Sequence, residues 1–73
     1  MTKIPNMSGK TCIKALAKIG YYQKRQEGSH IILRKDNPFS QIVIPNHKNI
    51  AKGTLRTIIK SADLTIDEFI DLL

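Results

Sequence analysis

Cysteine is nearly missing from this 73-residue chain, which has one, Cys12. A lone cysteine forms no intrachain disulfide, and nothing points to an oxidising compartment. Long apolar runs are missing as well. None approaches the roughly 18–20 residues of a membrane span, and the opening Met1-Thr2-Lys3-Ile4-Pro5-Asn6 has no apolar signal core. The expectation is a soluble cytoplasmic protein with no membrane partner. Metal-ligand spacing is also lacking: one cysteine and two distant histidines, His30 and His47, make no zinc site. Asp67, Glu68 and Asp71 read as dipole partners at a helix N-terminus and solvated surface rather than magnesium ligands. No metal or other cofactor is expected.

Acids are scarce where bases are dense. The chain has 12 Lys+Arg against 6 Asp+Glu, a net charge of +6. Residues 1–62 hold all 12 bases and only Glu27 and Asp36, giving +10, while residues 63–73 hold four acids and no base, giving −4. A basic body of this kind fits a polyanion, nucleic acid first. The length suits one domain spanning residues 1–73, with a core supplying about 3–5 kcal/mol of net stability.

The periodicity predicts an α+β order, α-β-β-β-α-α. Residues 1–7 read as an extended arm. Ser8 is a good N-cap for a helix over residues 9–19, with Cys12, Ile13, Leu16, Ala17 and Ile19 at helical spacing and Gly20 closing it. Residues 21–26, 30–35 and 41–44 read as three short antiparallel strands, separated by Glu27-Gly28-Ser29 and Asp36-Asn37-Pro38. Asn46-His47-Lys48-Asn49 is a polar loop. Leu55, Ile58, Ile59 and Ala62 mark a second amphipathic helix, weakened near its start by Gly53. Thr65-x-x-Glu68 is a capping box for a last helix over residues 66–72. A three-stranded sheet needs a cover on one face, and the helices supply it.

Three constellations bear on chemistry. Lys10, Lys14 and Lys18 stand at i, i+4, i+8 on the first helix, and Lys52, Arg56 and Lys60 repeat that spacing on the second. Like charges on one helix face repel, and neither stripe has an acid to relieve it, so a phosphate backbone is the natural neutraliser. The second constellation is the Gly28-Ser29-His30 turn. A two-residue loop there sets Glu27 opposite His30, Arg25 opposite Ile32 and Gln23 opposite Arg34. Alternation then places Gln23, Arg25, Glu27, His30, Ile32 and Arg34 on an open face and Tyr22, Ile31 and Leu33 on the core face. An imidazole among Arg25 and Arg34, beside a glycine that lets RNA approach closely and with Ser29 as a further RNA contact, suits phosphodiester cleavage. The third is His47, a second acid/base group or a phosphate donor, or, as is commoner for a loop histidine, a side chain that is simply exposed. Ser8-Gly9-Lys10-Thr11 imitates the end of a phosphate-binding P-loop, but Ile4 stands where that motif needs glycine.

On the residues alone, the alternative for His30 is a histidine that merely begins a strand, the commoner fate of a lone histidine, while two stripes of one sign favour phosphate binding over ordinary solvated faces. A non-catalytic RNA-binding module fits as well as a nuclease. A DNA-binding accessory fits less well, since no helix-turn-helix pattern is present.

The chain resembles the HicA family of toxin RNases. The matching stretches are Ser8-Gly9-Lys10, Ile19-Gly20-Tyr21, Arg25-Gln26-Glu27-Gly28-Ser29-His30, Ile44-Pro45-Asn46-His47, Lys52-Gly53-Thr54-Leu55-Arg56-Thr57-Ile58 and Ile66-Asp67-Glu68-Phe69. The set in this order carries the resemblance, and Thr11 departs from it where many relatives have an acid. The resemblance implies a double-stranded-RNA-binding-like fold and an mRNA interferase that inhibits translation by cutting single-stranded RNA. It also implies a HicB-like antitoxin that blocks the site. It maps the catalytic histidine to His30 and a second, loop histidine to His47.

Overall fold

A computed structural model describes residues 3–73. Helix α1 (Gly9–Ala17) begins where Ser8, in extended backbone, accepts the Thr11 N–H on its hydroxyl at 3.2 Å. Its buried stripe is Gly9, Cys12, Ala15 and Leu16, the three-and-four spacing of a helix laid on a sheet. Full burial of a side chain such as Leu16 contributes about 1.5–3 kcal/mol. The helix closes at the C-cap Lys18, slightly earlier than its periodicity predicts. Gly20 then turns the chain with φ +103°, a conformation that favours glycine.

Strands β1 (Tyr22–Glu27), β2 (His30–Asp36) and β3 (Phe39–Pro45) form one antiparallel sheet with β2 in the centre. Gly28 carries φ +59° in the β1–β2 loop and Ser29 does not take a positive φ, the arrangement of a type II′ hairpin turn. The β2–β3 turn holds a cis Asn37–Pro38 bond. Phe39 pairs with Asp36, so β3 starts there, earlier than the β-branched run alone predicts. Ile31, Leu33, Ile42 and Ile44 point into the core, where α1 and α2 (Lys52–Ser61) cover one face of the sheet. Helix α2 contributes Leu55, Ile58 and Ile59, and α3 (Ile66–Ile70) contributes the fully buried Phe69. The predicted capping box is formed: the Glu68 N–H donates to the Thr65 hydroxyl at 3.1 Å and the Thr65 N–H donates to Glu68 Oε1 at 2.8 Å. The expected α+β architecture, a double-stranded-RNA-binding-like core with a short last helix, is the one observed.

One register expectation is corrected. Glu27 does oppose His30 and Arg25 does oppose Ile32, but a bulge between Gln23 and Arg25 inserts Lys24 as an extra residue. Tyr22, not Gln23, therefore opposes Arg34 and joins the open face, where it is 44% exposed, while Gln23 shifts to the opposite face. Every residue of β1 is exposed, so no apolar alternation marks the slip in sequence.

Candidate active site

His30 is the first residue of β2, exposed, with Glu27 beside it on β1 and Pro45 on β3. The hairpin turn that presents it depends on Gly28, around which there is open space. His47 lies two residues past Pro45. The antiparallel pairing of β2 and β3 thus brings together two histidines far apart in sequence. They line one open cleft of ≈ 410 Å³ with Val43, Pro45, Ala51 and Thr54.

The floor of this cleft is the start of α2. Ala51 is its N-cap, and no side chain accepts a hydrogen bond there from the first-turn amides. That turn carries no acid. Amides left open at a helix N-terminus favour an anion. Gly53 in the same turn has no protein atom within 4 Å of where a Cβ would stand, so it leaves the surface bare rather than relieving a clash. Two imidazoles therefore border the uncapped first turn of a helix.

Two backbone contacts fix the loop bearing His47. The Asn46 N–H donates to the Ser29 carbonyl at 2.7 Å, and the Gly9 N–H donates to the His47 carbonyl at 2.9 Å. The second contact requires glycine at position 9, because a Cβ there would stand 2.3 Å from the Pro45 carbonyl oxygen.

The other sequence candidates are distributed around this centre. Lys10 lines a smaller cleft on the α1 side of His47. Lys14 and Lys18 flank a separate groove with Leu72 and Leu73. Arg56 and Lys60 are exposed on α2. Lys52 leaves the stripe, its ammonium donating to the Ile4 carbonyl. Ser29 is held through its carbonyl. Arg25 and Arg34 share the open sheet face with His30 without lining the cleft. Arg25 Nε lies 3.3 Å from Glu27, and Arg34 Nε lies 3.1 Å from Asp36 without the alignment of a hydrogen bond. Arg34 also stacks over the Phe39 ring at 5.0 Å. The Tyr22 hydroxyl donates to Asp36 at 3.0–3.1 Å, a bond that raises the tyrosine pKa.

Sequence reasoning missed Ala51 and Thr54 as neighbours of the histidines. An N-cap position filled by alanine, ahead of an amphipathic helix with no first-turn acid, was the available signal.

Fold and site together define a small basic α+β domain, helices packed on one face of a three-stranded antiparallel sheet, with a paired-histidine cleft at one end of that sheet. No curated protein matches the chain. The family model described as HicA toxin of bacterial toxin–antitoxin systems matches residues 9–64, and the chain belongs to that family. The match takes in α1, the whole sheet, the His47 loop and α2. No helix among the described residues is long and apolar enough to cross a membrane.

Proposed function

We propose that this toxin is an endoribonuclease that cleaves single-stranded RNA, mRNA above all, with His30 and His47 moving the protons. The supporting observation is their shared cleft at the uncapped start of α2. In the reaction one imidazole takes the proton of a ribose 2′-OH. The freed oxygen attacks the adjacent phosphorus, the P–O5′ bond breaks, and the other imidazole gives a proton to the departing 5′-oxygen. The products are a 2′,3′-cyclic phosphate and a 5′-hydroxyl, so atoms and protons balance without a metal. The α2 amides stabilise the charge that grows on the phosphoryl oxygens, and Arg56 and Lys60 with the α1 lysines attract the RNA backbone. A HicB-like antitoxin silences the toxin by covering the cleft.

The test is cleavage of single-stranded RNA in the presence of EDTA. Wild type is expected to cut, and His30→Ala to lose about 10²–10⁴-fold, the usual contribution of general acid–base catalysis. No cleavage by wild type, or undiminished cleavage by His30→Ala, overturns the reading. A non-catalytic RNA-binding module would give RNA binding without cleavage in either protein.

A further inference from the structure

We infer that the cleft on the α1 side of His47, lined by Ser8, Lys10, Asn46, His47 and Lys48, is a second phosphate subsite for the RNA phosphate next to the reacting one. The inference rests on the cleavage reading above. This cleft has a volume of ≈ 230 Å³, and it shares His47 with the larger cleft that holds His30. His47 is therefore the partition between two adjoining hollows, as a residue placed between successive phosphates would be.

Charge identifies the ligand. Two of the five lining residues are lysines and none is an acid. Lys10 is the second residue of α1, where the helix dipole is positive and a cation is unfavourable. The first turn holds no acid to offset it. Lys48 adds a second positive charge to the same small hollow. A phosphate removes both repulsions at once, and the Asn46 side-chain amide supplies a donor that suits its oxygens.

The hollow is also fixed with respect to His47. Its α1 wall meets the loop through the Gly9–His47 hydrogen bond, at an approach that only glycine permits. A phosphate seated there would set the spacing between the RNA backbone and the reacting centre.

The experiment is a length series. The dinucleotide step that wild type cuts in longer RNA is offered as a dinucleoside monophosphate and as two trinucleotides, extended by one nucleotide on either side. One extension, not both, is expected to raise kcat/KM about tenfold, the effect of one charge-assisted phosphate contact. The Lys10→Gln/Lys48→Gln double variant should abolish that gain. Lys24→Gln, at the distant β1 bulge, should keep it. An equal gain from both extensions, or a gain that survives in the double variant, overturns the subsite.

A binding arm stands apart from catalysis. With His30→Ala protein and a fluorescent single-stranded RNA, the slope of log affinity against log salt should become shallower by about 0.7 per lost phosphate contact when both lysines are replaced. An unchanged slope overturns the subsite. If wild type cuts nothing but the slope still falls, the cleavage reading has failed and the phosphate site stands.

Discussion

Asn46 and Ser29 are joined by a backbone hydrogen bond of 2.7 Å, and each is the immediate neighbour of one of the two histidines. The bond continues the β2–β3 ladder one step beyond the His30–Pro45 pair. It ties the turn that presents His30 to the loop that carries His47, so the two imidazoles are held by one piece of sheet.

Replacing Asn46 by proline removes this donor, while alanine keeps it. Asn46→Pro is expected to be about 1 kcal/mol less stable than Asn46→Ala, the ordinary net worth of such a bond, and to cleave RNA more slowly. Chemical denaturation and single-turnover cleavage of the two variants make the comparison. Equal stability and equal rates would show that the bond does not position the histidines.

The two glycines beside the cleft should respond in opposite ways. At Gly9 a methyl group meets the Pro45 carbonyl oxygen at 2.3 Å, backbone that has no easy retreat. Gly9→Ala should cost about 1–3 kcal/mol, as overpacking does, and should reduce cleavage by moving the His47 loop.

At Gly53 a methyl group meets nothing within 4 Å, and the residue is helical. Gly53→Ala should therefore raise stability by about 0.5–1 kcal/mol. It should also weaken RNA binding, because it covers bare backbone beside the α2 amides. Thermal melts and RNA titrations read both effects. A variant that gained stability and bound RNA as well as wild type would remove the first turn of α2 from the interface.

Cys12 is wholly buried, and burial pushes its thiol up to about 11. The unfolded chain ionises its thiol nearer pH 9. The native thiol stays protonated between those values, so rising pH favours the unfolded state there. Stability should fall between about pH 9 and 11 more steeply in wild type than in Cys12→Ala. The native thiol should also resist alkylation at neutral pH and react on unfolding. Equal pH slopes in the two proteins, or rapid alkylation of the native thiol, would contradict this placement.

Much of this architecture is legible in the amino-acid order, since α1, α2 and the capping box of α3 rest on local spacing and local hydrogen bonds. The Tyr22 register is not legible there, because β1 buries none of its side chains and a bulge in such a strand leaves no mark in hydrophobic pattern. The pairing of His30 with His47 depends on where β3 ends against β2, a long-range relation that residue types do not encode. Lys52 illustrates the converse. Its spacing puts it on a basic stripe, yet the Ile4 carbonyl takes its ammonium, a contact between segments far apart in the chain.

That Lys52 contact has a mechanical meaning. The segment around Ile4 and Met7 is clamped to the start of α2 twice, by the Lys52 ammonium on the Ile4 carbonyl and by the Ile50 N–H on the Met7 carbonyl at 3.0 Å. The Ile4 and Met7 side chains are both buried in the core. The arm and the helix end beside the histidine cleft are therefore bonded to each other directly, with no strand between them. The arm is thus a splint for that helix end, held by two carbonyl contacts and by two side chains in the core.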